Sequence, residues 1–216
     1  LVIANSLYTA REVEAFSNKK VKVLYPPFTS NISEIGRTTT KNPAEHLVVT
    51  TSRLDSNKLL ERIPLIAQHT DKSIHYAVIG RLYNQTVLDY LQAVVKKLGV
   101  DDRVKFYPNA SAEQKIALLK RAKIYLHTMI GEHFGISIVE AMALGCVPVV
   151  HNSGGMVEFV PAQYRYQNTA DAVQIISREI ADWTSSKADE AKIIADRFSL
   201  PNFSDKFMEL YTSHYD

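Results

Sequence analysis

Two glutamates, Glu132 and Glu140, stand eight residues apart in the stretch GEHFGISIVEAMALG, residues 131–145. Glu132 falls in a turn, and Glu140 about one and a half turns inside the helix that follows. A carboxylate is a natural acceptor for pairs of sugar hydroxyls. Beside the two carboxylates, the start of the helix offers free backbone N–H groups and the positive end of a dipole, which suit a phosphate. Gly135 lacks a Cβ and lets a ligand approach the backbone closely. Donors for phosphate next to acceptors for hydroxyls suit a nucleotide-sugar better than a bare phosphate. The spacing alone also fits a plain helix-start charge at Glu132 and a solvent-facing Glu140, so other residues must decide. Arg53 and Lys58 bracket a second turn, RLDSNK, between a strand and a helix. Two cations there can clamp a diphosphate, Arg through a planar fork and Lys as a point charge. Cations at a helix start are mildly unfavourable for stability, which tilts this pair toward function. Ser153-Gly154-Gly155 follows an apolar strand and would expose amides on a permissive backbone, as a second cradle or as an ordinary turn. The seven histidines show no metal-ligand spacing, and no metal is expected. His127, His133 and His151 fall near strand ends and read as local hydrogen-bonding residues.

These residues need elements to place them. KIYLHTM, residues 123–129, reads as a buried strand, and CVPVV, residues 146–150, as another. The helix between them carries Ile136, Val139, Ala143 and Leu144 on or near one face. Strand, turn, helix, strand is the βαβ unit of a parallel sheet, whose ligands sit at the carboxyl ends of the strands. The predicted fold class is α/β, a Rossmann-like parallel sheet with helices on both faces. Along the chain, LVIAN (1–5) reads as a buried strand. Ser6 caps a helix through Phe16, and VKVLY (21–25) is a strand stopped by Pro26 and Pro27. Residues 29–45 are polar and read as a linker. HLVVTTS (46–52) opens the main domain, followed by a helix LLERIPLIAQH (59–69). IHYAVIG (74–80) is a strand, residues 82–98 a helix with Gly99 just past its end, and Val104–Tyr107 a strand. Ser111 with Gln114 is close to a capping box. Residues 163–166 read as the last strand. Two helices then run to about Trp183 and Phe198, with a further helical segment at the C-terminus.

At 216 residues the chain has room for one large α/β domain with an appendage. The net charge is +2, so nothing in the balance argues for nucleic acid. Cys146 is the only cysteine, which excludes an internal disulfide and fits a reducing compartment. No apolar run approaches the length of a bilayer-spanning helix. The chain opens on Leu1, and the expectation is a piece of a longer protein. A nicotinamide-binding Rossmann domain is excluded because no G-x-G-x-x-G follows the first strand.

The stretch EHFGISIVEAMALGCVPVV resembles the signature of glycosyltransferase family four, a retaining family of the two-domain GT-B fold. The pattern is E, any residue, an aromatic, G, four residues, E, then A-x-A-x-G-x-P-V, and this chain matches it throughout. The EHFG form is similar to the dolichol-linked-oligosaccharide mannosyltransferases. By that resemblance Glu132 contacts the donor sugar hydroxyls and Glu140 the ribose hydroxyls, and the amides around Phe134, Gly135 and Ile136 face the diphosphate and sugar. Arg53 and Lys58 match the family's G-R-L-x-x-x-K, with Ser52 for its Gly and Leu59 where a Gly often follows the Lys. The segment Tyr107–Ala110 matches a loop that lies against the nucleobase. Gly154 and Gly155 match a Gly-rich element beside the donor, and Glu158 a structural position. His133 occupies a variable position from which it could touch the donor.

The resemblance divides the chain into a tail of a first domain (1–30), a linker (31–45), a donor-binding domain (46–198) and a C-terminal crossover helix (199–216). It implies a retaining hexosyltransferase that takes mannose from GDP-mannose in preference to a UDP-sugar, without a cofactor. The acceptor would be a glycan or lipid-linked glycan, bound through the first domain, so this piece alone would not transfer sugar. The expected place is the cytoplasm, with the full enzyme peripheral to a membrane's cytoplasmic face. Homo-oligomers through exposed apolar ends fit the same reading. A UDP-sugar epimerase of the same fold and a non-catalytic nucleotide-binding module are the alternatives. The set Arg53, Lys58, Glu132 and Glu140 argues against both.

Overall fold

In a computed structural model, residues 1–28, Ile32, Ile35 and residues 45–215 are described. The linker expected at 31–45 falls almost wholly outside the described residues. The chain opens with β1 (Ile3–Ala4), α1 (Leu7–Ser17) and β2 (Lys22–Val23), and β1 and β2 form a small parallel pair. LVIAN is a shorter and less buried strand than its composition suggests, with Leu1 and Ile3 exposed. Among the described residues β1 has a single partner strand, β2. Ser6 caps α1 as expected, accepting from the Thr9 amide at 3.0 Å.

The main sheet is built from β3 (Leu47–Thr51), β4 (His75–Gly80), β5 (Val104–Pro108), β6 (Ile124–His127), β7 (Val147–His151) and β8 (Arg165–Tyr166). Its order is β5-β4-β3-β6-β7-β8 and every pair is parallel. The helices are α2 (Arg62–His69), α3 (Gln85–Lys97), α4 (Ala112–Arg121), α5 (Ile136–Ala143), α6 (Thr169–Ala181), α7 (Ser185–Asp196) and α8 (Leu200–Tyr215). Alternate residues of each strand face opposite sides. Leu47, Val49 and Tyr125 pack with α4, α5 and α7. Val48, Tyr76, Val78 and Leu126 pack with α2, α3 and α6. Helices therefore cover both faces, as the near-continuous apolar strands require. No helix among the described residues is long and apolar enough to cross a membrane.

Several boundaries move for local reasons. The helix expected from Leu59 starts at Arg62, because Leu59 adopts a left-handed φ of 52° after a 3₁₀ turn at Ser56–Lys58. The turn keeps the shape a glycine would favour although a bulky residue fills it. Asn84 caps α3 by accepting from the Thr86 amide, so the helix begins after Leu82 and Tyr83. The capping box of Ser111 and Gln114 forms as expected.

α5 differs most from its sequence pattern. Ile138, Val139, Glu140, Ala141, Met142 and Ala143 are all buried, so beyond its first turn the helix has no solvent face. Ile136, expected with the core-facing residues, is 45% exposed in the first turn. The sheet covers one side of α5, and α7, with its small residues Ala188, Ala191 and Ala195, covers the other.

Candidate active site

The strand order reverses between β3 and β6. From β3 the chain winds outward through β4 and β5, then returns to β6 and winds the other way. In open α/β sheets the crevice at such a reversal is where ligands bind. Here the ladder between β3 and β6 stops at Val49–Tyr125. Beyond it, side-chain hydroxyls take over. Thr50 Oγ1 donates to the Leu126 carbonyl at 2.7 Å and the Tyr125 hydroxyl to the Thr51 carbonyl at 2.9 Å. The two strands part, and their following loops carry Arg53 and Lys58 on one side and Glu132 on the other.

Lys58 and Glu132, far apart in sequence, meet there. Lys58 Nζ donates to Glu132 Oε2 at 3.0 Å and to the Met129 thioether at 2.9 Å. The Thr128 hydroxyl donates to the Lys58 carbonyl at 2.7 Å, tying the two loops together. His127, the last residue of β6, puts Nε2 3.4 Å from the same Glu132 oxygen. His127 and Lys58 pull the Glu132 carboxyl down to about 2 from an ordinary 4.5, against the burial that would raise it. Glu132 is therefore a carboxylate at any physiological pH.

The turn that holds Glu132 is braced from below by the loop after β7. Ser153 Oγ accepts from the Gly131 amide at 2.9 Å, and the Gly155 amide donates to the Glu132 carbonyl at 2.8 Å. A Cβ at Gly154 would collide with the backbone of Glu132, and one at Gly155 with the carbonyl of His133. Gly154 and Gly155 are buried rather than presenting exposed amides, which corrects that expectation. They are small so that two loops can touch. Phe134 is likewise a core residue, 2% exposed, with its ring 5.2 Å from those of Phe159 and Phe198 and 5.8 Å from Tyr25. Its side chain anchors the turn, and only its backbone can reach a ligand. Gly135 opens α5 at a φ of 95°, so no side chain caps the first-turn amides.

Glu140 and Arg53 line an open cleft of about 390 Å³ beside this cluster. Its other walls include Ser52, Gly80, Arg81, Ser111, Lys115 and Ser137. Glu140 is 8% exposed, not solvent-facing, and accepts from Lys115 Nζ at 3.0 Å. Arg53 is exposed and forms no ion pair among the described residues.

Two expected contacts do not reach this cleft. Tyr107 lies on β5 outside the lining, which the same segment reaches through Ala110 instead. His133 turns toward α1, with Nε2 3.6 Å from Glu12 Oε2 and its ring edge-on to Tyr8. Lys115 has no signal in the sequence, since its spacing from Glu140 has no helical meaning. His127, expected as a local hydrogen-bonding residue, faces the Glu132 carboxylate instead. Glu158, expected to be structural, accepts the Leu7 and Tyr8 amides at 2.9 Å each and the Tyr25 hydroxyl at 2.8 Å.

A doubly wound parallel sheet with helices on both faces is the architecture of the Rossmann-like half of GT-B glycosyltransferases. The chain belongs to the glycosyl transferases group 1, whose family model matches residues 31–196. It is 32% identical over 165 residues to the GDP-Man:Man(3)GlcNAc(2)-PP-Dol alpha-1,2-mannosyltransferase of Dictyostelium discoideum, covering 70% of this chain and 32% of that protein. The human protein of the same name is 30% identical over 167 residues, covering 74% of this chain and 32% of that one. The chain thus spans about a third of the length of these relatives. Among solved structures, Anabaena HepE in complex with UDP and glucose superposes with a TM-score of 0.82 at 25% identity, covering 99% of this chain and 63% of that one. The apo lipopolysaccharide outer core galactosyltransferase WaaB shares the fold, with a TM-score of 0.80 at 19% identity over 98% of this chain and 61% of that one.

Proposed function

We propose that this chain is the donor-binding part of a retaining mannosyltransferase that uses GDP-mannose and a lipid-linked glycan acceptor. One observation carries the reading. At the sheet's reversal, Lys58 from one strand end meets Glu132 from the next, and Arg53 lines the adjoining cleft with Ser137 of the uncapped first turn of α5. Arg53, Lys58 and the amides of Phe134–Ile136 hold the diphosphate, Glu140 the ribose hydroxyls and Glu132 the sugar hydroxyls. The names of the relatives support mannose on a guanine nucleotide. In the transfer, the acceptor oxygen bonds to the anomeric carbon as the bond to the diphosphate breaks. The acceptor proton passes to the departing phosphate oxygen. The charge that grows on the diphosphate is met by donors already in place, each worth ~3 kcal/mol in such sites.

In this reading residues 1–30 and the C-terminal helix belong beside a first domain that supplies the acceptor site, and this chain binds donor without transferring it. Calorimetric titration with GDP, UDP, ADP and GDP-mannose tests the assignment. GDP and GDP-mannose should bind best, and Arg53→Ala and Glu140→Ala should each weaken them by ~1–3 kcal/mol. Binding that neither substitution alters, or no binding by a folded chain, would sink it.

A further inference from the structure

His127 is the polar group that the chemistry above leaves unused. It is 3% exposed at the carboxyl end of β6. Neither ring nitrogen closes a hydrogen bond of good geometry among the described residues. A buried polar group in that state is unfavourable, and an apolar side chain would fill the space without the cost. The ring is nonetheless held in place. It lies parallel to Tyr125, with centroids 6.4 Å apart and planes 19° apart. The backbone below is fixed by the Tyr166 hydroxyl, which donates to the His127 carbonyl at 2.8 Å. Glu132 Oε2 lies 3.4 Å from Nε2. Lys58 holds that same oxygen at 3.0 Å, while Oε1 has no hydrogen-bond partner among the described residues.

Resting on the donor-site reading, we propose that His127 is a positioning residue for Glu132. Its Nε2 faces one carboxylate oxygen at 3.4 Å and closes a hydrogen bond to it as Lys58 withdraws, while the other oxygen stays turned to the donor sugar. The arrangement gives the two partners of Oε2 different fates. Lys58 sits on a flexible stem and is drawn to the diphosphate when donor binds. His127 is wedged in the sheet and cannot follow. It therefore keeps the carboxylate in place at the moment Lys58 leaves, when Glu132 would otherwise swing. A rigid partner behind a binding group is what holds a site in its productive geometry.

The inference separates sugar from nucleotide. Glu132 meets only the sugar, so His127 should matter for GDP-mannose and not for GDP. The test is titration of the full chain with both ligands for His127→Leu and His127→Gln, with melting temperatures recorded alongside. The glutamine amide can place an N–H near the position of Nε2, and leucine cannot. Expected for His127→Leu is a loss of about tenfold for GDP-mannose, the low end for a lost hydrogen bond to a charged group, with GDP within about twofold. His127→Gln should recover most of the loss. Equal weakening of both ligands, no weakening of either, or a glutamine variant no better than leucine would overturn the inference. An unmutated chain that binds neither ligand removes the donor site itself, and the inference with it.

Discussion

Glu132 keeps its charge because His127 and Lys58 converge on one of its oxygens and outweigh the surrounding burial. Its folded pKa lies below its unfolded value, so the stabilisation is fully present above the ordinary carboxylate range. It is lost as pH falls from about 4.5 toward about 2. Urea unfolding at a series of pH values should therefore show the wild-type chain losing its advantage over Glu132→Gln across that window. A constant difference between the two would show that the pairing does not form. The same clustering explains why the site residues were only partly legible. Glu132, Glu140, Arg53 and Lys58 stand at motif spacings. His127 and Lys115 stand at none, because a strand end and a helix brought them in from outside the motifs.

The loops that carry these residues are held by elements remote in sequence. Glu158, in the loop after β7, supplies the carboxylate that covers two free amides at the start of α1 and accepts from Tyr25. Charge-assisted capping of this kind is worth about 2 kcal/mol. Glu158→Ala should lower stability by that amount in thermal melts, with a loss of helical circular dichroism as α1 frays. Gly155 packs against the turn of Glu132 and His133 so closely that no Cβ fits. Gly155→Ala should cost about 1–3 kcal/mol by overpacking. It should also weaken donor binding, because the displaced backbone belongs to the turn that carries Glu132. Unchanged binding in a folded Gly155→Ala variant would mean that the turn's position does not matter.

Across the whole molecule, the six-stranded sheet carries the core between helices on both faces, joined on one face by Tyr25, Phe28 and Ile32, and α8 lies largely outside it. Leu200, Phe207, Met208 and Tyr211 are exposed along α8. A helix that buries so little apolar surface against the sheet contributes little to its stability. Truncation after Ser199 should shift the unfolding free energy by no more than about 1 kcal/mol and leave GDP affinity unchanged. A large destabilisation would show that α8 packs on the domain more tightly than its exposure indicates.

The parallel sheet was legible from the amino-acid order. Near-continuous apolar strands alternating with capped helices have few other ways to bury both faces, and local features such as Ser6, Ser111 and Gly99 mark helix ends through short-range hydrogen bonds. That order also showed where phosphate and hydroxyl chemistry could sit, since those groups lie in two compact motifs. Which groups share the site followed from packing across the sheet. The parting of β3 and β6 brings Lys58 onto Glu132, sets His127 beneath it and joins Lys115 to Glu140. Packing also turned Phe134 and the Gly154–Gly155 pair into packing residues and sent His133 toward α1. Side-chain direction at a strand end depends on what packs above it, and that information is spread over the whole chain.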